Sequence, residues 1–292
     1  MRNAYLTIAC ALSILTGCNK TEYGGPDLQG VKAKIYGTID QSLETKIDWT
    51  TDAIIGVSVD SGNVYSTNNQ YRYVGDESRT FEALIPNSDI FVKGRKGMRF
   101  TAYYPYTGAN GATAGLVNIS TTSDKQLPEN RDKIDLLFAE ANSNREDPAV
   151  HFNFKHQMSQ LKFHFQSEQP INGNISYKLS GLVLAGNFDP SNGKVSAGSS
   201  KEVLNITVGQ EANGVSSLII IPQIATQLLL EVGVNGRYYT ATIDQVTLES
   251  GNIHSYNVEI SGSGVIPSLI VTAGTVTKWL SGGEHNIDSS EI

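Results

Sequence analysis

Cysteine is nearly absent from this chain of 292 residues, and its two cysteines lie close to the N-terminus. Cys10 falls within an apolar stretch that resembles the core of a signal peptide, and Cys18 follows that stretch. Removal of the peptide discards Cys10, and lipid on Cys18 leaves the mature chain without a free thiol. Disulfides, thiolate metal sites and cysteine nucleophiles are then excluded, so stability must come from a hydrophobic core.

Positive charge is also scarce. The chain has 22 Lys and Arg against 29 Asp and Glu, a formal net charge of −7, and no basic cluster. Nucleic acids and anionic membrane surfaces bind clustered positive charge, so both are poor candidates as partners.

The common catalytic and metal-binding motifs are missing from the sequence. There is no H-E-x-x-H motif, no phosphate-binding glycine loop, no G-x-S-x-G elbow and no EF-hand spacing. Glu129, Asp132 and Asp135 lie close together in a turn-like stretch, where solvated carboxylates are the common outcome. Residues 189–193 have too few carboxylates for a calcium loop, and a turn explains them. The sequence therefore predicts a protein that is not an enzyme and has no cofactor.

Three of the five histidines, His151, His156 and His164, fall close together. On a strand, His151 points to one side, whereas Phe152, Phe154 and His156 point to the other. Metal sites of zinc or iron need three or more ligands that converge on one point, and this alternation does not supply them. We favour a hydrogen-bonded structural role for His156. A metal-dependent hydrolase centred on the three histidines is the least favoured hypothesis.

The parity of the strand changes after residue 159. There Leu161, Phe163 and Phe165 form the apolar side, and His164 faces outward. A bulge or bend near residues 157–160 is the expected cause of the switch.

The N-terminus carries a lipoprotein signal. Arg2 precedes a short apolar run that is too short to span a bilayer. The run Leu15-Thr16-Gly17-Cys18 resembles a bacterial lipobox, in which the cysteine is lipidated and becomes the new N-terminus. We predict a signal peptide at residues 1–17, lipidation at Cys18 and a flexible polar tether at residues 18–30.

Beyond residue 30 the pattern is β nearly throughout. Residues 31–39 alternate apolar and polar side chains, as a half-buried strand requires. Residues 124–133 are the only stretch in which we predict a helical turn. Asn235-Gly236 predicts a two-residue hairpin turn, which needs positive φ at both positions. The pairs expected across this hairpin are Val234 with Arg237, Val232 with Tyr239, Leu230 with Ala241 and Leu228 with Ile243.

Many short strands separated by turns predict an all-β fold with two tandem antiparallel β-sandwich domains. The expected domains are residues 31–167 and 168–292, divided in a polar stretch at residues 166–174. Five tyrosines in two short segments are open to two interpretations. They either line a glycan-binding surface or cover a sandwich core with their hydroxyls reaching water, and the second is favoured. They are Tyr71, Tyr73, Tyr103, Tyr104 and Tyr106.

Eight short segments follow one another in a characteristic order. They are LTGC at residues 15–18, WTTD leading into IGV at residues 49–57, FTAYYPY at residues 100–106, DLLFA at residues 135–139, FKHQMSQL at residues 154–161, IIP at residues 220–222, GNIHSY at residues 251–256 and VTKW at residues 276–279. Together they resemble the fimbrillin family of Bacteroidales, in particular the fimbrillin-like lipoproteins grouped with minor fimbria subunits.

The resemblance implies two transthyretin-like β-sandwich domains and a structural role in cell-surface fimbriae that support adhesion. In that family a lipidated precursor reaches the outer membrane, and a surface protease removes the N-terminal strand. The groove left behind accepts a strand from the next subunit, which restores the lost backbone pairing. Here residues 31–39 are the expected removable strand and residues 268–279 the expected donor. The implied partners are other fimbrial subunits, the outer membrane through the lipid, and a host or bacterial surface ligand.

One departure from the family concerns the cleavage site. The best-studied members are cut after arginine, whereas this chain has no arginine between Arg2 and Arg72. Lys46 is the only basic residue in the expected cleavage loop, so it is the candidate processing site. Either a different protease acts there or the strand is retained. The alternative function is a monomeric outer-membrane surface lipoprotein that binds glycans or host ligands.

Overall fold

The computed structural model describes residues 30–40, 49–61, 64–93, 97–210, 214–261, 268–280 and 283–286. The first half of the chain contains strands β1 (Val31–Lys32), β2 (Lys34–Ile39), β3 (Ile54–Ser61), β4 (Val64–Tyr73), β5 (Thr80–Ala83), β6 (Phe91–Val92), β7 (Met98–Tyr104), β8 (Val117–Ser120), β9 (Leu137–Ser143) and β10 (Ala149–His156). A 3-10 turn at Ser123–Gln126 and helix α1 (Pro128–Arg131) lie where a helical turn was predicted.

The elements of the second half whose bounds lie within the described residues are strands. They are β11 (Ser159–Ser167), β12 (Ile175–Val183), β13 (Ala185–Asp189), β14 (Lys194–Ala197), β15 (Lys201–Val208), β16 (Val215–Ile220), β17 (Gln223–Val234), β18 (Arg237–Leu248), β19 (Asn252–Ser261), β20 (Ser268–Leu280) and β21 (Gly283–Asn286). The predicted all-β class is therefore confirmed. No helix in the described part of the chain has the length and apolar character needed to cross a membrane.

Seven strands of the first half form a closed barrel in the order β10-β2-β5-β4-β3-β7-β9. The inward positions alternate along each strand, so large side chains such as Tyr71, Phe100, Phe152 and Phe154 are fully buried in one core. Most pairs are antiparallel, as predicted, but β10 pairs with β2 in parallel. A parallel pair joins strands that are distant in sequence, which alternation alone does not reveal.

The second half contains two facing sheets. Their strand orders are β16-β11-β19-β20-β21 and β15-β12-β17-β18. Side chains from both sheets, including Phe163, Leu179, Leu228 and Val258, form one buried cluster, as in a β-sandwich. We call this unit the second sandwich. Its β11–β19 pair is also parallel.

The hairpin at Asn235-Gly236 is confirmed in turn and register. Both residues have positive φ, at 50° and 72°. The four predicted pairs are present between β17 and β18.

The parity switch is also confirmed. Strand β10 ends at His156 and β11 begins at Ser159, with the buried Met158 between them. Strand β11 pairs with β16 and β19 of the second sandwich, not with the barrel. The limits 31–167 and 168–292 stay a prediction, and strand pairing favours a division earlier, at residues 157–158. The transthyretin-like topology likewise stays a prediction.

A third, small sheet connects the two halves. Its order is β14-β13-β8, so β8 from the first half pairs with β13 from the second. Beneath it, a separate buried cluster combines Tyr103 and Phe138 with Met158, Phe188 and Ile221. We call this cluster the junction core.

Candidate functional site

Strand β2, within the segment predicted to be removable, is paired on both sides in the barrel. It runs parallel to β10 over its whole length and antiparallel to β5 at Ile35 and Tyr36. Ala33, Ile35 and Ile39 are buried in the barrel core. Loss of β2 would therefore unpair two strands and open an apolar groove.

Gly37 packs tightly against aromatic rings that would line that groove. A Cβ atom at residue 37 would lie 2.9 Å from the Phe81 ring and 3.0 Å from the Phe154 ring. The Trp49 indole N–H donates a 2.8 Å hydrogen bond to the Gly37 carbonyl oxygen. Its ring meets Phe81 and Phe154 edge-on, at centroid distances of 5.2 and 5.1 Å. We call the space filled by β2, bounded by these three rings, the β2 slot.

Strand β20 contains the expected donor residues. It pairs with β19 on one side, whereas β21 pairs only with its last four residues, from Thr277 onward. No described strand pairs with the outer edge of β20 before Thr277. Ile270 and Val276 are 51% and 45% exposed along this stretch. A free edge with unburied apolar side chains is a suitable element for pairing with another sheet.

His156 of β10 contacts Trp279, near the C-terminal end of β20. Its Nδ1 atom lies 2.8 Å from an Asp135 carboxylate oxygen. Its ring is buried and stacked on Trp279, with a centroid distance of 4.2 Å and an interplanar angle of 4°. The expected structural hydrogen bond is therefore present, and its partner is a side chain.

The other two histidines of the segment lie elsewhere. His151 is exposed and stacked on Tyr36 at 4.7 Å, and His164 is half-buried on β11. Among the residues that the structure describes, no three His, Cys, Asp or Glu side chains are grouped as a metal ion would require. The structure does not bring together the three ligands that the hydrolase hypothesis needs.

The carboxylates singled out in the sequence have separate environments. Asp135 contacts His156, whereas Glu129 and Asp132 are exposed. Asp189 accepts hydrogen bonds from the Ser191 hydroxyl and backbone N–H, at 2.6 and 3.0 Å. These bonds hold the pKa of the Asp189 carboxyl below its ordinary value and close the turn between β13 and β14.

Three of the five tyrosines proposed as a glycan surface are not available for that role. Tyr71, Tyr73 and Tyr103 are buried. The Tyr71 hydroxyl accepts a hydrogen bond from the Ile90 backbone N–H, and burial raises the pKa of Tyr71 to about 12. The Tyr103 hydroxyl donates to the Asn68 side-chain oxygen at 2.7 Å. The core interpretation is correct for these three rings, but the Tyr71 and Tyr103 hydroxyls are buried and bond to protein groups, so the expectation that they reach water is wrong. Tyr104 and Tyr106 are half-buried.

Tyr238 is the exposed ring that the sequence analysis missed. It is 85% exposed near the tip of the β17–β18 hairpin. The predicted hairpin register could have identified Tyr238 as exposed. It pairs Tyr238 with Gly233, and Tyr239 alternates to the buried side.

Two predicted positions, Cys18 and Lys46, lie outside the described residues, as do the signal peptide and nearly all of the tether. Lipidation and processing at these positions stay predictions.

Comparisons with known proteins agree with the fold. A family model described as fimbrillin-like matches residues 43–279. A candidate cell adhesion protein from Bacteroides ovatus has a TM-score of 0.76 and 28% identity, covering 86% of this chain and 98% of that one. Another from Bacteroides uniformis has a TM-score of 0.68 at 17% identity, covering 86% and 99%, and shows similarity of fold alone. No curated protein sequence matches the chain.

Proposed function

The chain belongs to the fimbrillin-like family, and we propose that it is a structural subunit of cell-surface fimbriae that assembles by strand exchange. In this proposal Cys18 is lipidated and anchors the precursor at the outer membrane. Cleavage at Lys46 then releases β1 and β2, and a strand of another subunit enters the β2 slot. The role is not enzymatic, and adhesion of the cell is its outcome.

The observation that carries the proposal is the position of β2. It is a strand near the N-terminal side of the fold, yet it sits inside a closed barrel between two strands that come later in the chain. Its removal would leave the Trp49 N–H without its carbonyl partner and the Phe81 and Phe154 rings facing water. Unpaired backbone and exposed rings both favour capture of a new strand.

Strand β20 supports the proposal because its sequence fits the slot. The slot requires a residue without a Cβ opposite Phe81 and Phe154, and β20 offers Gly274. With Gly274 at the position of Gly37, every second residue of β20 faces the barrel core. The resulting matches are Ile270 for Ala33, Thr272 for Ile35 and Val276 for Ile39. All of these donor residues are exposed in the present structure, so transfer buries apolar surface that is now in water.

Limited proteolysis tests the proposal. Cleavage near Lys46 with a trypsin-like protease should yield multimers that resist SDS, and a Lys46→Gln variant should yield few or none. Ile270→Asp should be cut normally but fail to form multimers, because the charge would be buried in the slot of the next subunit. Thr275→Asp is the matched control, since residue 275 is exposed and alternates away from the slot.

The proposal fails if the cut protein stays monomeric at high concentration. It also fails if Ile270→Asp and Thr275→Asp form multimers equally well, because β20 would then not be the inserted strand.

A further inference from the structure

The outer face of the sheet β15-β12-β17-β18 carries a shallow groove. Side chains that alternate with the buried ones point away from the sandwich core, and most of them are exposed. The groove has a volume of about 210 Å³ and is lined by Ser176, Lys178, Asn205, Thr207, Glu231 and Tyr238. None of these residues belongs to the β2 slot or to β20, so the groove is separate from the strand-exchange machinery.

One wall of the groove is the Tyr238 ring. Tyr238 is 85% exposed, more than any other large apolar side chain in the described ranges. Its neighbour across the hairpin is Gly233, which has no side chain to cover the sheet. A Cβ atom at residue 233 would lie 3.1 Å from the Tyr238 ring and 2.7 Å from the Ser176 hydroxyl oxygen. The absence of that atom lets the Tyr238 ring and the Ser176 hydroxyl pack closely against the glycine.

Polar groups lie in two rows next to the ring. In one row Ser176 is paired with Thr207 on one side and with Gly233 on the other. In the next row Lys178 is paired with Asn205 and Glu231. The groove therefore offers hydroxyl, amide, ammonium and carboxylate groups, which can both donate and accept hydrogen bonds.

From this arrangement we propose that the groove binds a neutral saccharide. One pyranose ring stacks with its C–H face on the exposed Tyr238 ring, and its hydroxyls bond to Lys178, Glu231 and Asn205. The ring and the polar groups match the two kinds of surface that a sugar has, an apolar face and a rim of hydroxyls. One cation opposite one anion favours a ligand without net charge. The volume is below that of pockets for drug-sized apolar ligands, which suits a single sugar ring.

Titration calorimetry of the intact protein with maltotetraose, cellotetraose, mannotetraose and N-acetylchitotetraose tests the inference. We expect at least one of them to bind, with Tyr238→Ala weakening that binding by about tenfold or more. Tyr238→Phe should bind nearly as well as the wild type, because the stacking face remains. Gly233→Ala should weaken binding, since the added methyl group would displace the Tyr238 ring that packs against the glycine.

Ile224→Ala is the matched control, because Ile224 is 81% exposed on β17 and pairs with Thr247, near the far end of the hairpin from Tyr238. It should leave binding unchanged. Absence of binding to all four sugars, or equal binding by Tyr238→Ala and wild type, would overturn the inference. Stronger binding of a sulfated heparin disaccharide at the same groove would overturn the proposal that the ligand is a neutral saccharide. Ile270→Asp should keep sugar binding, so failure of strand exchange and failure of this site are distinguishable.

Discussion

The imidazole of His156 joins two parts of the chain that are far apart in sequence. Its Nδ1 atom contacts Asp135 just before β9, and its ring is stacked on Trp279 near the end of β20. The ring is buried, so loss of the side chain would leave Trp279 without its stacking partner and create a cavity. The interaction is therefore important for holding β20 against the barrel.

We predict that His156→Ala lowers the free energy of unfolding by about 3 kcal/mol, from lost packing against Trp279 and the lost hydrogen bond to Asp135. His151→Ala should change it by less than about 0.5 kcal/mol, because His151 is exposed. Urea unfolding at neutral pH measures both. Equal losses of unfolding free energy in the two variants would contradict the prediction, because burial and stacking on Trp279 would then add nothing to the contribution of His156.

At the scale of single elements, the β17–β18 hairpin is fixed by its turn. Gly236 has φ of 72°, and the space around a Cβ atom there is open within 4 Å. The cost of a side chain at this position is thus conformational, not steric. Gly236→Ala should lower the free energy of unfolding by about 1 kcal/mol.

Gly97→Ala serves as the control for the turn. A Cβ atom at residue 97 also meets nothing within 4 Å, but its backbone does not have positive φ. The change should be neutral or slightly stabilising, as measured by urea unfolding. A loss at Gly97 as large as that at Gly236 would rule out the φ-based explanation.

Elements with local signals could be predicted from the sequence. The hairpin register followed from Asn235-Gly236, and the parity switch after His156 followed from alternation. Tyr71 and Tyr73 were correctly favoured as core residues, and Arg72 alternates between them toward solvent.

Features that depend on distant residues could not be predicted in this way. The pairing of β11 with β19 joins residues about ninety positions apart, and nothing local specifies it. Pairing of β8 with β13 has the same origin. In the candidate site, alternation placed Gly37 on the inward side of β2, but the rings that enclose it come from three other parts of the fold.

At the scale of the whole molecule, the junction core connects the barrel to the second sandwich. The Gln126 side chain donates to the Ile219 carbonyl at 2.9 Å and accepts from the Ile219 N–H at 3.0 Å. Arg131 donates to the Ser217 carbonyl at 2.6 Å. Buried hydrogen bonds and shared apolar packing couple the stability of the two halves.

This coupling predicts one cooperative unfolding transition. In a Trp279→Phe background, Trp49 is the only indole left and reports on the barrel core. Phe163→Ala removes a ring from the core of the second sandwich and should cost about 3 to 5 kcal/mol. If the halves unfold together, Phe163→Ala shifts the Trp49 fluorescence transition in urea as far as the circular dichroism transition. A Trp49 transition that stays at the midpoint of the Trp279→Phe parent would show that the barrel unfolds independently, and that the junction core does not couple the halves.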